Sequence, residues 1–241
     1  MLGSPLTCFD ARLYGSLVLA DTEGEFHPEE ADKLFDDVSN EGLGLLVWAE
    51  WYSASVSKTM AVFDGNQRRW ITPLVGGANV PSLNRLLRRM GAAFASDVVE
   101  GKLTLAMPTD PEDKSDEGVT VGYGLGTFAA RLPPQARFVD LEKYPGKPAL
   151  STFPFGEGRV LLYGDTGCFD HNDGATAMCP GVAQAMVAWA AGFGDREEGP
   201  FPERAQSVGE GGLVREDWPV PEEDEALEPD LLDKIMRPLA W

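Results

Sequence analysis

Ser16-Leu17-Val18-Leu19-Ala20, followed by Asp21, and Leu43-Gly44-Leu45-Leu46-Val47-Trp48-Ala49, followed by Glu50, are two short apolar runs that each stop at a carboxylate. Runs of this length, bounded by polar residues, read as buried strands. Between them Pro28 opens a helix at a position where its missing N–H costs nothing. Ala31, Leu34, Phe35 and Val38 follow at i, i+3, i+4 and i+7, so one helical face is apolar, and Asn40-Glu41-Gly42 stops it. Strand, amphipathic helix, strand is a βαβ unit, which calls for a parallel sheet covered on both faces.

The pattern extends outward. Val56, Met60 and Phe63 repeat at helical spacing before the turn Asp64-Gly65-Asn66. The loop Gly76-Gly77-Ala78-Asn79 feeds a helix with Pro81 near its start and Leu83, Leu86, Leu87 and Met90 on its inner face. Lys102 to Met107 reads as a strand, 108–118 as an acidic loop and 119–157 as short strands joined by Pro-rich turns. Val160-Leu161-Leu162-Tyr163 is another buried strand ending at Asp165, and Val182, Ala185, Met186 and Trp189 line a last helix. The expected fold is α/β, a three-layer sandwich with a mostly parallel sheet.

The chain has 241 residues, 43% of them hydrophobic, and a net charge of −19. That charge argues against nucleic acid, whose phosphates need clustered Lys and Arg, and against an anionic membrane surface. No apolar run reaches the ~18–20 residues of a membrane span, and no signal peptide is evident at Met1. The acid is uneven: residues 195–241 hold 14 acidic and 5 basic residues, a net of −9, with six prolines. The expected organisation is therefore a domain over 1–194 and an acidic, Pro-rich, flexible tail over 195–241.

In parallel sheets, ligands sit beyond the carboxyl ends of the strands. Asp21, Glu50 and Asp165 stand at those ends and are binding candidates, for a ligand or a hard cation; Asn79 joins them at the start of a helix. The plainer reading of Asp165-Thr166-Gly167 is a strand-end turn whose Asp accepts backbone amides, and that of Asn79 is a helix cap. No His or Cys pair stands at zinc-ligand spacing, so no metal or cofactor is expected. Cys168, three residues before His171, admits a nucleophile activated by an adjacent base. Cys179, eleven residues later, makes a Cys168–Cys179 bridge the simpler reading. Cys8 has no evident partner.

Three blocks of this sequence carry a resemblance. The first is Leu2 to Ala11 with Asp21-Thr22-Glu23-Gly24-Glu25-Phe26-His27-Pro28. The second, and strongest, is Thr72-Pro73-Leu74-Val75-Gly76-Gly77-Ala78-Asn79-Val80-Pro81-Ser82-Leu83-Asn84. The third is Gly158 to Asp170, with Cys179 after it. Together they resemble the region downstream of the catalytic domain in the site-1 proteases, of the subtilase superfamily, over roughly residues 2–190. The resemblance implies a non-catalytic, glutamine-amidotransferase-like (flavodoxin-like) α/β domain. Its partner would be a subtilisin-type protease domain in the same or a companion polypeptide, with a regulatory protein as a further partner. The family cuts membrane-bound transcription factor precursors in the Golgi lumen. None of its catalytic triad maps onto this chain, which accordingly reads as a fragment or a stand-alone relative. Thr127 stands about where the family would place another cysteine.

Overall fold

The computed structural model of the chain describes residues 5–71, 73, 77–105, 119–167, 179–201 and 205–214. The opening unit forms as its pattern requires. Strands β1 (Ser16–Ala20) and β2 (Gly44–Trp48) run parallel, joined through helix α1 (Pro28–Asn40). The Glu30 carboxylate accepts the His27 backbone N–H at 3.0 Å, and Glu29 and Glu30 lie in the first turn, where the helix dipole favours negative charge.

Next come helix α2 (Ala54–Thr59), strands β3 (Val62–Asp64) and β4 (Arg69–Ile71), helix α3 (Val80–Arg88) and strand β5 (Ala93–Phe94). They are followed by β6 (Val99–Leu105), β7 (Val119–Gly126), β8 (Ala129–Leu132), β9 (Arg137–Leu141), β10 (Tyr144–Phe155) and β11 (Gly158–Tyr163). Helix α4 (Cys179–Ala190) and strands β12 (Gln206–Ser207) and β13 (Leu213–Val214) complete the described chain.

The main sheet has the order β1-β2-β11-β10-β9-β12. Side chains alternate across it. On one face Leu45, Val47, Val160 and Leu162 meet Leu34 and Val38 of α1 and Leu83, Leu86 and Leu87 of α3. On the other, Leu46, Leu161 and Tyr163 meet Val182, Met186 and Trp189 of α4 and Leu103, Val121 and Tyr123 of the β6–β7 hairpin. Each such fully buried side chain contributes about 1.5–3 kcal/mol. This is the expected three-layer α/β architecture.

Three features differ in detail. The parallel part is β1, β2 and β11; β10, β9 and β12 extend it antiparallel. The reason is local: β10 and β11 are joined by the two-residue turn Gly156-Glu157, and so short a connection permits only an antiparallel pair. Second, the helical repeat through Val56, Met60 and Phe63 stops early. Phe63 lies in β3, opposite Trp70 of β4, because Asp64 Oδ1 accepts the N–H of Asn66 at 2.8 Å and turns the chain into a hairpin. Third, the ordered chain continues past residue 194. Phe201 is buried, β12 pairs with β9 and β13 pairs with β8, so residues 205–214 belong to the domain despite lying in the acidic stretch. Residues 215–241 lie outside the described residues.

Candidate functional site

The carboxyl ends of β1, β2 and β11 form one rim, stitched by backbone hydrogen bonds. Asp21 N–H donates to the Trp48 carbonyl at 3.0 Å, and Ala49 N–H to the Tyr163 carbonyl at 2.8 Å. Asp21 takes a left-handed conformation (φ 45°), which Asp tolerates better than most residues. The rim gathers all four sequence-predicted strand-end residues.

Asp165 is fully buried. Its Oδ2 accepts the N–H of Gly124 at 2.7 Å and its Oδ1 that of Gly167 at 2.9 Å, so the carboxylate clamps the end of β7 to its own turn. Glu50 Oε1 accepts the Thr166 N–H at 2.8 Å and also the Thr166 hydroxyl. Gly77 passes directly over Glu50: a Cβ there would lie 3.1 Å from Glu50 Cγ and closer still to Glu50 Cβ. Asn79 caps α3, its Oδ1 accepting from Ser82 N–H at 3.2 Å. Its own N–H donates to the Thr22 carbonyl at 2.8 Å, which ties the loop after β1 to α3.

Burial pushes the Glu50 carboxyl up, the Thr166 bonds oppose that, and the negative charges of Asp165 and Asp21 add to it. Burial likewise holds the phenols of Tyr123 and Tyr163 well above their ordinary range, so both stay neutral. Their rings meet edge to face at 5.7 Å, and Tyr123 donates to the Thr127 carbonyl. Thr127 is itself buried, its hydroxyl donating to the Ala95 carbonyl at 2.9 Å. The rim thus holds two carboxylates engaged by backbone amides, those of Glu50 and Asp165, together with neutral hydroxyls. Such groups hold loops in place.

The pH response of Glu50 follows with a definite sign. Its folded pKa lies above the ordinary value of 4.5, so the folded state binds the proton more tightly than the unfolded one. Stability is highest below the unfolded value and falls as pH rises through the raised folded value. Glu50→Gln keeps an acceptor for Thr166 and removes this slope. The expected result is a denaturation midpoint that gains on the wild type as pH rises from 4 to 8; a constant offset across that range would refute it.

Cys168 and His171 lie outside the described residues. Cys179 is buried at the start of α4, and Cys8 is an exposed free thiol. Among the described residues no group of three or more His, Cys, Asp or Glu is arranged to hold a metal ion. An open cleft of about 450 Å³ runs along β9, lined in part by Thr104, Asp140, Glu142 and Gln206, and none of the strand-end carboxylates lines it. The sequence reading missed Gly124 and Tyr123 as parts of the rim, and it placed Thr166 in the strand-end turn without its bonds to Glu50. Gly124 offers no local signal, since it meets Asp165 across 41 positions of chain.

The sheet covered on both faces makes this an α/β sandwich, and the matching family model is that of a glutamine-amidotransferase-like domain. A solved structure, the mmIFT52 N-terminal domain, shares this fold at TM-score 0.50 and 15% identity, covering 75% of this chain and 78% of that one. Residues 1–120 match the family model of MBTPS1, fourth GATase-like domain. The chain belongs to this family, the fourth glutamine-amidotransferase-like domain of the site-1 proteases. It is 41% identical over 187 residues to the subtilisin-like protease SBT6.1 of Arabidopsis thaliana. It is 37% identical over 181 residues to the membrane-bound transcription factor site-1 protease of Homo sapiens. Each alignment covers 70% of this chain but 17% of the relative, so the chain spans about a sixth of the length of these proteins. Among the described residues no helix is long and apolar enough to cross a membrane.

Proposed function

We propose that this chain is a non-catalytic accessory domain of a site-1-protease-like, subtilisin-type serine endopeptidase. It supports a protease domain in the same or a companion polypeptide and offers a surface to a regulatory protein. Proteolysis of membrane-bound transcription factor precursors, in the Golgi or secretory-pathway lumen, is the work of that protease domain. The observation that carries this reading is the state of the rim: the oxygens of Asp165 and Glu50 accept backbone and hydroxyl hydrogens from Gly124, Gly167 and Thr166, and so serve the fold. A bridge between Cys168 and Cys179 accompanies the proposal. It is supported by the burial of Cys179 and by Cys8 being the exposed thiol.

The test is co-expression of this chain with the protease domain of a relative it resembles. Co-elution of the two and a higher melting temperature of the protease domain are expected. Separate elution with an unchanged melting temperature refutes the accessory role. Peptide mapping of the native protein without reductant examines the bridge: a Cys168–Cys179 peptide is expected, whereas a free, reactive Cys168 thiolate would favour a cysteine hydrolase acting with His171.

A further inference from the structure

The chain between Trp51 and Gly77 leaves the rim and returns to the same point. The Trp51 carbonyl accepts the N–H of Gly77 at 2.9 Å and that of Ala78 at 3.4 Å, closing the base of the excursion. Residues 54–71 of it are α2 and the β3–β4 hairpin. This arm bears the densest exposed apolar surface of the described residues. Val62 (67% exposed) and Ile71 lie opposite each other, as do Phe63 and Trp70 (50% exposed), and Val56 and Met60 add to them from α2. The Phe63 and Trp70 rings meet edge to face at 5.6 Å. Because side chains alternate along a strand, the two pairs face opposite sides, so the hairpin is apolar and exposed on both. A two-stranded hairpin is marginal in water by itself, and an apolar patch of this kind marks a contact surface.

Charge and topology select the occupant. The protein carries −19 overall, yet residues 54–71 hold Lys58, Arg68 and Arg69 against one acid, Asp64. Residues 221–241 have the complementary chemistry: seven acidic residues from Glu222 to Asp233, interleaved and followed by Leu227, Leu231, Leu232, Ile235, Met236 and Trp241. The chain also leaves the domain in the right direction. Thr127 N–H donates to the Gly164 carbonyl at 2.8 Å, which places the start of β8 at the rim. β13 is antiparallel to β8, with Leu213 opposite Leu132 and Val214 opposite Arg131, so the chain at Val214 heads toward the rim from which the arm rises. From residue 215 to Leu231 an extended chain reaches roughly 50 Å. That matches the diameter of a domain of this size, about 40–45 Å.

We propose that residues 221–241 of this chain dock on the α2–β3–β4 arm, their leucines, Ile235 and Met236 against Val62, Phe63, Trp70 and Ile71, and their carboxylates beside Lys58, Arg68 and Arg69. Tethering sets an effective concentration on the order of mM, so a weak contact suffices to keep the arm covered. Any other partner of the arm must displace the segment.

Hydrogen–deuterium exchange on the full-length protein tests this, comparing wild type with the double variants Phe63→Glu/Trp70→Glu and Leu231→Asp/Ile235→Asp. Both change exposed or tail positions, and unchanged circular dichroism certifies the fold. Amides in 227–241 are expected to exchange about tenfold or more slower in wild type than in either variant. Zero-length carbodiimide coupling is expected to join Lys58 to a carboxylate between Glu222 and Asp233 of the same molecule. Equal exchange in wild type and variants overturns the proposal. So does coupling found only between differently isotope-labelled molecules, which would make a second copy the occupant.

Discussion

Replacing Gly164 by alanine is expected to abolish cooperative folding or to destabilise the domain by more than about 4 kcal/mol, the range reserved for a few severe mechanisms. Gly164 follows β11 where three segments converge. A Cβ there would overlap the Thr127 carbonyl oxygen and the Tyr123 hydroxyl, and would lie 2.7 Å from the Thr127 carbonyl carbon. The obstacle is backbone, and that backbone is held: Thr127 N–H donates back to the Gly164 carbonyl at 2.8 Å. Neither side can yield without breaking the contact that joins β11 to β8, and overpacked sites that cannot relax are the costly ones. Gly65→Ala is the internal control. A Cβ at Gly65 meets nothing within 4 Å, so its change should stay within about 0.5 kcal/mol. Chemical denaturation of the two variants side by side decides the matter, and similar midpoints would refute the packing argument.

Asp165→Ala is expected to lower stability by about 2–5 kcal/mol, because two backbone N–H donors lose their acceptor and each unsatisfied group costs about 1–3 kcal/mol. The donors are those of Gly124 and Gly167, and the carboxylate between them has no exposed surface. Water therefore cannot replace the lost acceptor without the turn opening. Asp165→Asn keeps one acceptor oxygen but turns an amide NH2 toward the second backbone donor, so it should not restore wild-type stability. Urea denaturation measures both, and the amides of Gly124 and Gly167 should become the fastest-exchanging in their neighbourhood. If Asp165→Ala were neutral, the clamp would be disproved. The same experiment bears on function, since a clamp and a ligand site predict opposite outcomes: removing an unengaged binding carboxylate often stabilises a domain, whereas removing a clamp cannot.

The rim was partly legible in the sequence. Asp21, Glu50 and Asp165 each follow an apolar run, and parallel strands must bring such positions to one end. Asn79 followed by a Pro81 helix start likewise reads as a cap, and Asn79 Oδ1 accepts from Ser82. What Asp165 and Glu50 bond to was not legible. Gly124 lies 41 positions from Asp165, and Thr166 lies 116 positions from Glu50. No local pattern marks a glycine amide as the partner of a distant carboxylate. The motif blocks at 72–84 and 158–170 carried the family, which the comparisons with relatives establish.

Periodicity was a sound guide where one element buries one face. Leu34 and Val38 of α1, Leu83, Leu86 and Leu87 of α3, and the paired faces of β2 and β11 are all where their spacing puts them. It misled at Phe63, where three residues at helical spacing face solvent, so that no burial enforces the helix and the Asp64 turn prevails. It was silent on β10, whose partners are chosen by its two-residue link to β11 on one side and by β9 on the other. It was misleading again at residues 205–214, where acidic composition argued for a solvated tail while short backbone ladders to β9 and β8 hold the chain. By itself, then, the sequence settled the α/β class, the amphipathic helices, the strand-end turns and the family, because burial periodicity and local capping are written in neighbouring residues. The antiparallel half of the sheet, the closed arm above the rim, the engagement of its carboxylates and the pairing of residues 206–207 and 213–214 with the domain were decided by tertiary structure. Each depends on backbone pairing between segments far apart in sequence, whose free energy exists only once the core has brought them together.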